Sequence, residues 1–189
     1  MALTATLERL LEHPLIYAAW QAPFVAQKFA PVERALRRSE IRRVLDVGCG
    51  PGTNAARFDG IDYVGVDINE RYLAIARSKY PGRFVQADLE NGSPWPLGEE
   101  RFGAIVVTNY LHRPLFPHIL AALAPRSVLV YETFMAGNER FGRPSNPEFL
   151  LRPGELRKAF ADLEELGFEE GEVERPKRAV IQRICALKR

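Results

Sequence analysis

Four carboxylates stand at the ends of short apolar runs in this chain: Asp46 after Val44-Leu45, Asp67 after Val64-Gly65-Val66, Asp88 after Phe84-Val85, and Glu132 after Val128-Leu129-Val130. An ionised carboxylate accepts hydrogen bonds and donates none, with about four lone-pair sites to offer. Such an acid suits a ligand that presents hydroxyls, an amine or an ammonium group. The first acid runs into Gly48-Cys49-Gly50-Pro51-Gly52, and glycines let the backbone turn sharply and let a ligand come close with no Cβ between. Asp67 lies 19 residues past Gly48, close to the ~20 at which an acid grips ribose hydroxyls in nucleotide-binding sheets. After a fourth apolar run come Asn109-Tyr110-Leu111-His112-Arg113-Pro114. His112 suits a general base by residue type, since an unperturbed histidine changes charge near neutral pH. An equal reading has it capping the next helix or packing beneath a ligand. Arg113 falls at a helix start, where its charge opposes the helix dipole, and that misfit points to an anionic partner.

These groups need elements to hold them. Apolar runs bounded by glycine and ending in acids read as buried strands of a parallel sheet. They are the run into Asp46, then Tyr63–Asp67, Arg83–Leu89, Phe102–Thr108 and Ser127–Glu132. Phe168–Glu174 and Arg178–Leu187 form two further strands, antiparallel across a tight reversal at Arg175-Pro176-Lys177. Helices are expected over 3–12 and 14–38, broken by prolines, and from Thr53 to Phe58. Another follows an Asn69 cap as far as Pro81-Gly82, and two more run from Pro114 to Leu123 and from Pro153 to Leu166, the last stopped by Gly167. The stretch 133–153 reads as irregular, and a loop of about 20 residues has the length of a lid or binding loop. It carries Arg140, Arg143 and Arg152 with Phe141 and Phe149 between them. Guanidinium groups there suit a carboxylate or phosphate, against an equal reading as inert surface. Tyr17 and Trp20, in the leading helical stretch, are packing aromatics or contacts to a substrate.

The totals narrow the class. At 189 residues, 47% hydrophobic and net charge +2, the chain reads as one soluble domain with a substantial core, with neither a demand for nor an exclusion of nucleic acid. Its basic residues are 21 Arg against 5 Lys, and the run Arg34–Arg43 reads as a solvated helix face rather than an RNA footprint. No apolar stretch approaches the ~18 residues of a membrane span, and the first residues show no signal-peptide pattern. Cys49 and Cys185 fall in expected core strands with no metal-ligand spacing, so a cytoplasmic address is expected.

The glycines do not match the dinucleotide fingerprint, which needs glycine where Thr53 stands. Asp46-Val47-Gly48-Cys49-Gly50-Pro51-Gly52 resembles motif I of the class I S-adenosylmethionine-dependent methyltransferases, and the later acids follow in the order of that superfamily. Within that superfamily the chain resembles the compact bacterial enzymes of the broad Methyltransf/tellurite-resistance-like group. The resemblance covers about residues 40–189 and implies an α/β, Rossmann-like fold: a seven-stranded, mostly parallel sheet with a C-terminal antiparallel hairpin and helices on both faces. It implies a single domain, 1–189, with an N-terminal helical cap (1–40) on a cofactor-binding core (41–189).

The implied cofactor is S-adenosyl-L-methionine, with S-adenosyl-L-homocysteine as product. Asp46, Gly48, Cys49, Gly50 and Gly52 would hold its amino-acid end, the turn amides and the acid suiting its carboxylate and ammonium. Asp67 and Ile68 would hold the ribose, Asp88 and Leu89 the adenine, with Asn109 and Tyr110 beside the methyl. His112, Arg113 and Glu132 are candidates for orienting the acceptor; Tyr17, Trp20, Arg140 and Arg143 for binding it. The exit sequence lacks the Asn/Asp-Pro-Pro-Tyr of base-amine methyltransferases. With no appended domain or long basic extension in the sequence, a small-molecule acceptor is expected. A nucleic-acid methyltransferase using the arginine-rich surface, and a non-catalytic cofactor-binding partner subunit, stand as alternatives.

Overall fold

The computed structural model describes residues 41–174 and 177–189. The expected N-terminal helices with Tyr17 and Trp20, the basic run as far as residue 40, and Arg175 and Pro176 of the reversal lie outside the described residues.

Seven strands form one sheet in the order β3-β2-β1-β4-β5-β7-β6. They are β1 (Arg43–Val47), β2 (Asp62–Asp67), β3 (Arg83–Gln86), β4 (Phe102–Thr108), β5 (Leu123–Phe134), β6 (Glu164–Val173) and β7 (Ala179–Leu187). The first five pair in parallel, and β7 runs antiparallel to both β5 and β6. Strand order therefore reverses between β1 and β4. In open α/β sheets that reversal leaves a crevice beyond the carboxyl ends of the strands, where ligands bind.

Alternating residues along each strand feed two apolar clusters, one per face. Leu45, Val47, Ile105, Val107, Leu129 and Tyr131 pack with Ile119 of helix α2 (Phe116–Ala122) and with Leu156 and Phe160. Val44, Tyr63, Ala104, Val106, Val128 and Val130 pack on the other side with Leu73 and Ala76 of helix α1 (Glu70–Lys79). Both faces are thus covered, which is why the parallel strands read as unbroken apolar runs. Asn69 caps α1 as expected, its side chain accepting from the Arg71 and Tyr72 amides at 3.0 and 3.3 Å.

Three expectations fail. The helix after the glycine turn is only a 3-10 turn, Ala55–Arg57, because Asn54 and Phe58 are buried and hold the chain against the sheet. The helix expected as far as Leu166 is the short α3 (Glu155–Ala159). Leu156, Phe160 and Leu163 do face one cluster, but the chain reverses after Ala159 and enters β6. Gly167 then sits at a bulge in the β6–β7 pairing and stops no helix. The segment 133–153 is not loose: β5 runs to Phe134, Met135 bridges to Leu151, and 3-10 turns form at Asn138–Arg140 and Pro147–Phe149.

The outer edge strand β6 is acidic and mostly exposed, reading Glu-Glu-Leu-Gly-Phe-Glu-Glu-Gly-Glu-Val. Arginines from neighbouring segments answer part of that charge, Arg157 to Glu165, Arg189 to Glu164 and Arg178 to Glu172.

Candidate functional site

The glycine turn closes the β1 end of the crevice. Gly48, Gly50 and Gly52 have φ of +73°, +54° and +75°, a region that costs an L-residue about 1–2 kcal/mol. The turn's amides all point inward. Gly48 and Cys49 donate to the Val66 carbonyl at 2.8 and 3.1 Å, Gly50 donates to Asp67 Oδ2 at 2.8 Å, and Gly52 donates to the Cys49 carbonyl at 3.1 Å. Pro51 has no N–H to offer. Each of these amides thus has an acceptor within the protein. What the glycines supply is proximity. A Cβ at Gly48 would lie 3.4 Å from the Tyr110 Cβ, and one at Gly52 would lie 2.9 Å from the Ala76 Cβ. The first keeps the crevice narrow, and the second seats the turn on α1.

Asp46 is fully buried beneath the turn. Its Oδ2 accepts from the Tyr63 hydroxyl and from Asn54 Nδ2, the latter at 3.0 Å. One carboxylate thus joins β1, β2 and the far end of the turn. Burial, with Asp46 adding to it, pushes the Tyr63 phenol well above its ordinary range, so it remains a donor. Cys49, also buried, has its thiol pushed up by burial and by Asp46 and Asp67, which makes it a packing residue here.

Asp67 stands at the end of β2, partly buried, and bridges two backbones: Oδ2 accepts from Gly50 and Oδ1 from Asn69, both at 2.8 Å. Each oxygen bears two lone pairs, so acceptor capacity remains for a ligand. Ile68 beside it is 60% exposed. At the β3 end Asp88 accepts from the Glu90 amide at 2.9 Å. From there a cavity of about 460 Å³ opens between residues 87–96 and the start of α2, with Leu89, Trp95, His112 and His118 in its walls. Trp95 and His118 stack with 5.6 Å between ring centroids and planes 9° apart.

The exit of β4 forms the other side of the crevice. Asn109 has φ +56°, and its N–H donates to the Glu132 carbonyl at 2.9 Å. His112 is half-buried in an extended conformation and makes no side-chain cap on the 3-10 turn that follows it, so the capping reading is excluded. Arg113 is turned to its own chain. It donates to both carboxylate oxygens of Glu155 and to the carbonyls of Leu150 and Glu148, the last two at 2.9 and 2.8 Å. The anionic partner anticipated for it is Glu155.

The candidates for the acceptor are not gathered as the sequence suggested. Glu132 is buried on the sheet face of Val128 and Val130, 3.3 Å from Arg183, which reaches Glu169 at the same distance. Leu111 and Leu115, flanking His112, belong to the cluster of the opposite face. Arg140 donates through Nε to the Gly137 carbonyl at 3.0 Å, and Arg143 is exposed beside the cis-Pro144 peptide. The Phe141 ring lies 5.0 Å from the Arg140 guanidinium and 4.8 Å from that of Arg178. The segment that carries these arginines is anchored. Asn138 accepts from Val180 N and donates to the Pro144 carbonyl, Gln182 holds Arg152 and Leu156, and Arg113 holds 148–155. It is a fixed wall and not a swinging lid.

Sequence reasoning passed over Tyr63, Asn54, Tyr131, Trp95 and His118. The available signal was a tyrosine inside each of two otherwise apolar strands, because a buried phenol needs a partner.

Known proteins point the same way. Residues 44–126 match the family described as a methyltransferase domain, Methyltransf_25. The trans-aconitate 2-methyltransferase of Delftia acidovorans is 32% identical over 158 residues, covering 74% of this chain and 59% of that protein. The chain spans about half to three fifths of the length of the curated relatives it matches. Among solved structures, TehB from Haemophilus influenzae aligns with a TM-score of 0.67 at 20% identity, over 84% of this chain and 61% of that one. The plantazolicin methyltransferase BpumL, solved in complex with SAH, aligns with a TM-score of 0.64 at 14% identity, over 96% and 97%. With its strand order, its glycine turn at the switch point and its acids at successive strand ends, the chain carries over residues 44–126 a methyltransferase domain of the class I S-adenosylmethionine-dependent type.

Proposed function

We propose that the chain transfers a methyl group from S-adenosyl-L-methionine to a small-molecule acceptor, a carboxylic acid being the first class to test. One observation supports this most: the β2 carboxylate is locked to the glycine turn beside the switch point and keeps acceptor capacity for two hydroxyls. The site fits the cofactor in two further respects. The exposed Ile68 offers an apolar face beside Asp67, and the missing Cβ at Gly48 leaves a close approach next to Tyr110.

In this reading Asp67 accepts from the ribose hydroxyls, Ile68 covers the nucleoside, and Asp88 and Leu89 meet the adenine. Gly48, Gly50, Asn109 and Tyr110 line the amino-acid and methyl end. Asp46 holds the turn in shape through Asn54 and Tyr63. The cofactor, when bound, supplies a methyl group on a sulfonium, which is already a good leaving group. The protein's contribution is then alignment and exclusion of water. His112, half-buried at the β4 exit, is the group that takes a proton from an acceptor arriving protonated. Arg140 and Arg143, on the anchored wall, give an acidic acceptor its counter-charge. The carboxylic-acid class draws support from the name of the curated relatives, trans-aconitate 2-methyltransferases.

Calorimetric titration with S-adenosyl-L-methionine and S-adenosyl-L-homocysteine tests the cofactor. Micromolar binding of both is expected, and absence of binding by folded protein ends the reading. Transfer of labelled methyl to trans-aconitate and a panel of small di- and tricarboxylates tests the acceptor class. Labelling confined to RNA in a parallel assay would move the acceptor to nucleic acid.

A further inference from the structure

We propose that Tyr131 is a positioning residue for the transfer site, setting the width of the crevice through the main chain of Tyr110. This rests on the cofactor reading above.

Tyr131 lies in the middle of β5 and is 1% exposed. Its ring packs among apolar side chains, edge-on to Phe116 at 5.9 Å and tilted against Phe160 at 5.9 Å. Phenylalanine would fill that space equally well. A buried hydroxyl is unfavourable unless it is hydrogen-bonded, and this one donates to the Tyr110 carbonyl at 3.0 Å. Burial keeps the phenol protonated far above neutrality, so the donor is constant across the working pH range.

The bond falls where the backbone most needs support. Asn109 occupies the left-handed region without being glycine, a conformation asparagine tolerates and that its surroundings can fix. Two hydrogen bonds from β5 do so, Asn109 N–H to the Glu132 carbonyl and Tyr131 hydroxyl to the Tyr110 carbonyl. The corner they hold faces the glycine turn, where a Cβ added at Gly48 would come within 3.4 Å of the Tyr110 Cβ. Losing the hydroxyl frees the Tyr110 peptide to rotate, and the wall facing Gly48 moves with it. The hydroxyl thus acts on ligand binding without touching a ligand.

Tyr131→Phe removes the donor and retains the ring. Three quantities are read on wild type and variant: the S-adenosyl-L-homocysteine dissociation constant, the thermal midpoint, and amide hydrogen exchange over residues 109–111 without ligand. Re-ordering a corner that has lost one hydrogen bond of ordinary strength predicts a dissociation constant raised as much as about fivefold, with faster exchange confined to the corner. Phe160→Leu is the control, disturbing the same aromatic group and leaving the hydroxyl in place. It is expected to lower the thermal midpoint and leave affinity unchanged. Affinity of Tyr131→Phe within twofold of wild type overturns the proposal, as does an equal loss in Phe160→Leu. If wild type itself binds no S-adenosyl-L-homocysteine, the cofactor reading fails. Exchange at the corner then decides the role of Tyr131 alone, and unaltered exchange refutes it.

Discussion

Removing the Arg113 guanidinium should destabilise the protein and leave acceptor recognition comparatively intact. Arg113→Ala deletes a two-pronged contact to Glu155 and single bonds to the carbonyls of Leu150 and Glu148. Hydrogen bonds to a charged group contribute about 1.5–3 kcal/mol each when buried. The Arg113 and Glu155 side chains are 33% and 17% exposed, so their pair is weighted down toward the ~1 kcal/mol of solvated ion pairs. The expected loss is about 2–4 kcal/mol, read as the shift of the urea midpoint at constant slope. Glu155→Gln should lose roughly half as much, and the double variant should show a coupling of about 1–2 kcal/mol. The pH dependence carries a second signature. Burial alone would raise the Glu155 carboxyl, but the Arg113 hydrogen bond, the Arg152 amide and the nearby charges outweigh it and hold it low. A carboxyl depressed on folding contributes stability that is complete above its unfolded value, about 4.3, and is lost as pH falls through the folded value. Wild type should therefore lose stability below about pH 4.3 more steeply than Arg113→Ala does. Arg113→Ala with stability within 0.5 kcal/mol of wild type (roughly the limit of such measurements) and a raised KM for the acceptor would refute this, returning the guanidinium to the substrate.

Further outcomes follow from the same geometry. Asp67→Asn should weaken S-adenosyl-L-homocysteine binding by about 2–4 kcal/mol, because two hydroxyls lose a charged acceptor; calorimetry showing unchanged affinity would remove Asp67 from the ribose. Gly52→Ala should cost about 2–5 kcal/mol in denaturant unfolding, combining left-handed strain with overpacking against Ala76, Tyr80 and Phe84. Both cysteines, Cys49 and Cys185, are buried, so a thiol reagent should label neither within minutes in native protein and both in guanidinium.

The strands of the sheet and the order of acids at their ends were legible because both follow from local pattern. Val44-Leu45 and Phe102–Thr108 announce burial by composition, and the separation of Gly48 from Asp67 announces a crevice. Partners were not legible. Arg113 looked unattached because Glu155 lies 42 residues away in the chain, and no periodicity carries that distance. The protein partners of Asp46 were hidden, since nothing in its neighbours shows that the Tyr63 hydroxyl and the Asn54 amide meet it in the interior. The α3 error has a different origin. Leu156, Phe160 and Leu163 have true helical spacing and do face one core, but a bend after Ala159 brings them there as well as a continuous helix would. The irregular look of 133–153 came from its prolines and glycines, while its rigidity comes from Asn138 and Gln182, whose bonds are to backbone far off in sequence.

The glutamates of β6 bear on the solution behaviour of the whole molecule. This strand closes the sheet, and its outer row of main-chain groups would template pairing with another chain. Two such edges brought together would have to accommodate the glutamates from Glu164 to Glu172 together with the arginines paired to them, Arg157, Arg178, Arg140, Arg183 and Arg189. The density of charged side chains makes β6 a self-avoiding border at neutral pH. A sheet that is open by construction is thereby kept from growing, and the protection is of electrostatic origin, so it weakens in concentrated salt and in acid.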